Sequence, residues 1–321
     1  MWQKIKNMLQ WFFPTFRMTK PRLERIEKQL DKLDKLERRI RAIEKSTEGI
    51  LTWCESNLNS QQQPRLSYLI LSILDHFNLR CKGCGHFANI AEKYFVPFET
   101  IKSDLQQMLR ITKGAITRMS IMGGEPLLHP ELPQIMSAAR QLFPKTLIQV
   151  ASNGVLLLRQ KDEFWASCKD NNIEVIVTKY PLNLNYGRMQ ELANSAGVRF
   201  SFRGRDGFTR RELMKFVIDP AGLQNARRSF FKCNERNASS LLMEGRFYIC
   251  PISCKAMHMN HKFGYSLELE EGDYLDIYKV QDASEILSFI CSPVQFCRFC
   301  NTDKYTFSPW ERSKQDISEW I

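Results

Sequence analysis

Between Leu66 and Phe202 short apolar runs alternate with stretches of helical periodicity, and this alternation narrows the possible folds more than any other feature. The apolar runs are Leu66 to Leu74, Ile116 to Met122, Thr146 to Ala151, Ile173 to Thr178 and Val198 to Phe202. Between them Ile101, Leu105, Met108, Leu109 and Ile111, and then Leu132, Ile135, Met136, Ala139 and Leu142, recur at helical spacing; Gln160 to Asn171 and Tyr186 to Ala196 complete the helical set. Apolar strands separated by amphipathic helices predict βα units and a parallel sheet. With a sixth strand near Leu213 to Ile218 the count predicts an α/β fold, a partial (β/α)6 TIM-type barrel. In such barrels the loops after the strands' C-terminal ends carry the chemistry.

Three of those loops hold chemistry-bearing residues. The first strand breaks into Asp75, His76, Phe77, Asn78, Leu79, Arg80, Cys81, Lys82, Gly83, Cys84, Gly85 and His86, so two thiols three positions apart share one loop. After the second strand come Gly123, Gly124, Glu125 and Pro126. Two glycines let backbone approach a ligand, and Glu125 offers a carboxylate to an ammonium; a glycine pair before proline reads equally as a plain turn. The third strand ends in Ser152, Asn153 and Gly154, short polar side chains at the equivalent position.

Past Asp219 the alternation gives way to a thiol-rich region that holds six of the ten cysteines. Cys233 precedes Gly245 by twelve positions and Cys250 follows five later; Cys297 and Cys300 form a distant Cys-x-x-Cys. Two separated thiol pairs predict one metal centre, with zinc the default from spacing alone. Cys254 and Cys291 fall outside the pattern and read as buried thiols or replacement ligands, whereas Cys54 and Cys168 stand alone and read as inert.

Taken in order and at βα spacing, Cys81-x-x-Cys84, Gly123-Gly124-Glu125-Pro126 and Ser152-Asn153-Gly154 resemble the radical S-adenosylmethionine (radical SAM) superfamily over roughly residues 66–218. That resemblance implies a 4Fe-4S cluster on Cys81 and Cys84, and S-adenosylmethionine held by Gly123, Gly124, Glu125, Ser152 and Asn153. It also implies reductive cleavage of that cofactor to a 5′-deoxyadenosyl radical, which takes hydrogen from a small-molecule or peptidic substrate. An electron donor such as flavodoxin or ferredoxin is part of the same expectation. The spacing from Cys233 through Gly245 and Cys250 to Cys297 and Cys300 resembles the twitch (SPASM-like) domain of that superfamily and implies one auxiliary 4Fe-4S cluster on Cys233, Cys250, Cys297 and Cys300. The loop text from Lys82 to Ala91 is similar to proteins associated with surface-glycan or sugar metabolism. One position departs from the family pattern: Phe77 stands where the first cluster cysteine belongs, and its ring cannot ligate iron. His76 and His86 are the candidate substitutes; a catalytically impaired scaffold that acts through its helical arm is the alternative function.

The flanks divide the chain as follows: 1–19 an amphipathic segment, 20–56 a coiled-coil-like arm, 57–65 a polar linker, 66–218 the barrel and 219–321 the twitch-like α+β domain. In the arm Leu23, Ile26, Leu30, Leu33, Leu36, Ile40 and Ile43 follow each other at three or four positions, about three heptads with one stammer. It reads as an oligomerisation or docking element. Trp2, Ile5, Leu9 and Phe12 line one helix face before Pro14, which suits a membrane surface and docking on the chain's own body equally. Of the net charge of +11, 6 belong to the first 50 residues, so a nucleic-acid-binding core is not expected. No apolar run is long enough to span a bilayer and no secretory cleavage pattern follows the N-terminus, which predicts a cytoplasmic protein, in contact with a membrane at most through residues 1–13. In that setting the cysteines serve metal or redox chemistry rather than disulfides. Arg203, Arg205, Arg210 and Arg211 crowd one loop, where four guanidinium groups suit a phosphate or a solvated surface.

Overall fold

A computed structural model describes residues 25–33, 36–37, 40, 64–203, 212–236 and 239–321. The expectations for residues 1–19, for most of the arm and the linker, and for Cys54, Arg205, Arg210 and Arg211 lie outside these. The chain divides into two compact units, Met1–Gln62 and Gln63–Ile321. In the first unit residues 25–33 are helical, and Leu30, Leu33, Leu36 and Ile40 are exposed.

The second unit is built on one eight-stranded sheet in the order β5-β4-β3-β2-β1-β7-β8-β9. Its strands are β1 (Leu66–Ser72), β2 (Ile116–Met122), β3 (Leu147–Ser152), β4 (Glu174–Val177), β5 (Arg199–Phe202), β7 (Leu241–Met243), β8 (Arg246–Tyr248) and β9 (Tyr274–Asp276). The first five are mutually parallel, with Leu66 opposite Ile116 and Arg118 opposite Leu147. The helices α1 (Phe98–Thr112), α2 (Leu132–Leu142), α3 (Asp162–Asp170) and α4 (Tyr186–Ser195) make the crossovers. Helix α1 shows why the periodicity was informative: Ile101, Leu105, Met108 and Ile111 are buried against the sheet, and the helix stops where Lys113 turns left-handed. One large core of Leu, Ile, Val, Met and Phe joins these helices to the parallel strands.

The sixth parallel strand is not the segment expected. Strand β6 (Glu212–Lys215) leaves the sheet and pairs antiparallel with β10 (Thr306–Pro309). Its place is taken by β7, which runs parallel to β1 with Ile70 opposite Leu241. The residues Leu241 and Leu242 are fully buried, as a strand beside the buried edge of β1 must be, whereas β6 is exposed or half-buried throughout. From β7 the chain turns back through Glu244 and Gly245 into β8, both at positive φ. The glycine inside the cysteine spacing is thus a hairpin residue, and its N–H donates to Asp104 of α1 at 2.8 Å. Helices α5 (Ala226–Lys232), α6 (Pro251–Lys255), α7 (Met257–Phe263) and α8 (Ala283–Ile290) complete the unit, and a second core gathers around Phe87, Phe230, Phe296, Phe299 and Trp320. Among the described residues no helix is long and apolar enough to cross a membrane.

Candidate functional site

The C-terminal ends of β1, β2 and β3 open into one cavity of about 430 Å3. It is lined by Cys81, Cys84, Gly123, Gly124, Glu125, Ser152 and Asn153, the full set expected from the three loops. Its volume is that of a small-molecule site.

The two glycines have a structural cause that sequence reasoning did not reach. An added Cβ on Gly124 would lie 1.9 Å from the backbone oxygen of His76, and one on Gly123 would lie 2.3 Å from that of Leu74. The Gly124 N–H donates to Leu74 O at 3.0 Å and the Glu125 N–H to His76 O at 2.9 Å. The glycines therefore admit the cysteine loop itself, backbone against backbone, as well as lining the cavity.

Glu125 is fully buried, and its carboxylate faces β3. It accepts hydrogen bonds from Ser152 Oγ at 2.7 Å, from the Asn153 N–H at 2.9 Å and from the Leu127 N–H at 3.3 Å. Burial pushes its pKa up to about 7 against the pull of those donors. The Asn153 side chain donates to Asn78 Oδ1 at 2.7 Å, which joins the third loop to the first.

Cys81 is buried and its sulfur accepts a hydrogen bond from Trp310 Nε1 at 3.2 Å, while Cys84 is half-buried. Phe77 lines the same cavity as both thiols. His86 lines the same cavity; the His76 ring packs edge-on against Phe95, with ring centres 6.0 Å apart. Position 77 therefore faces the site, and a cluster that takes three protein thiolates does not fit this loop. Beyond these residues Tyr68, Met122, Tyr180, Arg203, Phe216 and Phe307 extend the wall.

Cys233, Cys250, Cys297 and Cys300 also converge, around a second and smaller cavity shared with Phe230, Ile252 and Phe296. Burial pushes the Cys250 thiol up to about 11 and raises Cys233 as well, and burial with the neighbouring sulfurs pushes Cys297 and Cys300 upward. Four thiols that cannot ionise together when empty are suited to a positively charged metal group, which removes that penalty. Among the described residues no three His, Cys, Asp or Glu side chains gather closely enough to hold a single metal ion. Cys254 is buried near Lys255 and Asp75, its thiol pushed up to about 12, whereas Cys291 is exposed. Neither lines the second cavity.

A third cluster lines neither cavity. Asp75, at the exit of β1, pairs with Lys255 of α6 and accepts from His258 Nε2 of α7 at 3.1 Å, and all three are nearly inaccessible. Burial alone would push the Asp75 carboxyl up, but His258 and Lys255 outweigh it and hold it below the usual carboxylate range. Nothing in the sequence spacing marked this triad, because Asp75 lies 180 positions from Lys255 and 183 from His258.

No family model matches the chain. GTP 3',8-cyclase of Mycobacterium marinum is 35% identical to it over 96 residues, 29% of this chain and 26% of that protein. Molybdenum cofactor biosynthesis protein 1 of Bos taurus is 29% identical over 93 residues, 29% of this chain and 15% of that protein. The chain thus covers under a third of these curated relatives. Among solved structures, BtrN in complex with AdoMet and 2-DOIA aligns over 75% of this chain and 94% of that one, at 16% identity and a TM-score of 0.48. Streptococcus suis SuiB bound to the precursor peptide SuiA aligns over 43% of this chain and 33% of that one, at 18% identity and a TM-score of 0.36.

Proposed function

The chain is a radical SAM superfamily protein, and from that premise we propose that it binds S-adenosylmethionine at the ends of β1, β2 and β3 and carries a 4Fe-4S cluster on Cys233, Cys250, Cys297 and Cys300. The activity proposed is SAM-dependent radical chemistry on a small-molecule or peptidic substrate, with sugar or surface-glycan metabolism its setting. One observation carries the reading: seven residues from three loops, chosen by motif, line a single cavity.

Each group has a task in that cavity. Backbone at Gly123 and Gly124 meets the amino-acid end of the cofactor. Glu125 is already engaged by Ser152 and Asn153 and holds the second and third loops in register. Asn153, tied to Asn78, sets the wall toward the first loop. Tyr180, Arg203 and Phe307 close the side left for a substrate. Bound S-adenosylmethionine supplies, once given an electron from a flavodoxin- or ferredoxin-type donor, the radical that removes a substrate hydrogen. For the second cavity a cluster suits the thiols better than zinc: zinc gathers all four sulfurs within about 2.3 Å of one point, and these thiols surround a cavity without forming a single-ion site.

A second reading is favoured by Phe77, which leaves the barrel loop one thiolate short: a scaffold that keeps the fold and the auxiliary cluster and acts through residues 20–56, as a contact for a second copy or another protein. Anaerobic reconstitution separates the two. The enzyme reading expects, beside the four irons of the auxiliary cluster, a second cluster on Cys81 and Cys84 with His76 or His86 in place of the third thiolate, about eight irons per chain in all, and 5′-deoxyadenosine on addition of dithionite. About four irons and an intact cofactor, with both gained in Phe77→Cys, would leave the scaffold. Zinc in colourless, anaerobically purified protein would remove the auxiliary cluster from both readings.

A further inference from the structure

The Cys81 to Asn89 loop is held along its length by the last twelve residues of the chain. The Lys82 N–H donates to Glu311 O at 3.0 Å, the Ser313 N–H donates to Arg80 O at 3.0 Å, and Cys81 bridges Arg312. Trp310 Nε1 reaches the Cys81 sulfur, and Trp320 Nε1 donates to Cys84 O at 3.1 Å. The Trp320 ring is fully buried and packs on Phe87, with ring centres 5.6 Å apart. The backbone flanking Cys81, at Arg80 O and Lys82 N, and the carbonyl of Cys84 therefore find partners more than 220 positions away, beside the local bonds of the loop.

Glu319 is the centre of this arrangement. It is 3% exposed, yet it is a carboxylate, and burial of such a group demands donors. It has four: one oxygen accepts from the Gly83 N–H at 3.1 Å and Asn89 Nδ2 at 3.4 Å, the other from Ser313 Oγ at 3.0 Å and the Lys314 N–H at 2.7 Å. Gly83 lies between the two cysteines, and an added Cβ there would stand 3.2 Å from the Glu319 backbone oxygen. The same carboxylate thus shapes the tail through Ser313 and Lys314 and grips the loop through Gly83 and Asn89.

We infer that segment 310–321 is a clamp that presets the Cys81-x-x-Cys84 loop without any metal, with Glu319 as its positioning residue. The inference rests on the reading of this loop as a cofactor loop, and it explains how a loop with Phe77 in place of a ligand keeps its two thiols in a defined arrangement. A loop shaped only by metal bonds would lack such partners; this one has protein donors and acceptors along its length.

Hydrogen exchange on the metal-free, full-length chain tests it. Loss of the Gly83 and Asn89 hydrogen bonds to a charged acceptor predicts that peptides spanning residues 80–90 exchange about tenfold faster or more in Glu319→Ala, with β3 peptides unchanged. Should that variant fail to fold, Glu319→Gln reads the same amides: its NH2 group meets a donor in either orientation and the acceptor is no longer charged, so a smaller acceleration of the same peptides is expected. Ile148→Val in β3, a mild destabilisation away from the loop, is the control and is expected to leave the loop protected. Exchange of residues 80–90 at the unaltered rate in the Glu319 variants, or an equal acceleration across the whole chain, overturns the clamp. Because no cofactor is present, the clamp can fail while the proposed function stands, and the reverse.

Discussion

Lys255 of α6 and Asp75 at the exit of β1 form an ion pair that is almost wholly removed from solvent, between the barrel sheet and the helix that follows Cys250. Both cavities border elements that this pair joins: β1 runs on into the cysteine loop, and α6 begins one residue after a second-cavity thiol. The pair therefore ties the end of β1 to the helix that follows Cys250.

Removal of one partner leaves a buried charge without its counterion. Asp75→Asn is expected to destabilise the chain by about 3 kcal/mol or more in urea unfolding. Lys255→Met costs less, because His258 remains on Asp75, and the double variant costs less than the two singles added. The Asp75 carboxyl lies below its unfolded value, so its stabilisation is present above the unfolded pKa near 3.8 and is lost as pH falls through the folded one. Unfolding midpoints measured between pH 5 and about pH 3 check this, with Asp75→Asn showing the weaker decline.

Glu125 has the opposite sign. Its folded pKa of about 7 exceeds the unfolded value of 4.5, so the folded state holds a proton that the unfolded state releases. Stability therefore falls as pH rises from 4.5 to about 7 and levels off above. A shift of this size corresponds to about 3 kcal/mol. Glu125→Gln lacks that decline, so its stability curve is expected to approach the parent's as pH rises. Parallel curves across this window would show that the carboxyl does not titrate there.

Gly124 carries a steric prediction. Gly124→Ala drives a methyl group into the His76 carbonyl and is expected to cost about 3 kcal/mol or more, with loss of S-adenosylmethionine binding. Gly264→Ala has open space around its Cβ but a positive φ, so only the backbone penalty of about 1 kcal/mol applies. Urea midpoints and equilibrium dialysis of the cofactor compare the two.

The auxiliary thiols predict a spectroscopic outcome. Cys300→Ser is expected to remove iron and visible absorbance from the second cavity, while Cys291→Ser, at an exposed thiol outside it, leaves both unchanged. Iron analysis after anaerobic reconstitution reads the difference.

Much of the site was legible in the sequence because short-range chemistry wrote it there. Strand ends carry loop residues outward at known positions, so Cys81, Cys84, Gly123, Glu125 and Ser152 were placed on loops by spacing, and the family resemblance joined those loops into one candidate site. The glycines were read as room for a ligand; the contact with Leu74 and His76 was not legible, since it joins two loops about 50 positions apart. Nor was the fate of Leu213 to Ile218: its apolar pattern suits a barrel strand, and only pairing with β10 takes it out of the sheet.

The sequence by itself determined the alternation of strands and helices, the loops that bear thiols and glycines, and the absence of a ligating side chain at Phe77. Those are properties of neighbours in the chain, set by periodicity and backbone permissiveness. Tertiary structure alone decided that β7 completes the parallel strands, that four C-terminal cysteines share one cavity, that Asp75 meets Lys255, and that Glu319 grips Gly83. Each of these satisfies a buried polar or apolar group with a partner far along the chain, and such a partner carries no local signal to mark it.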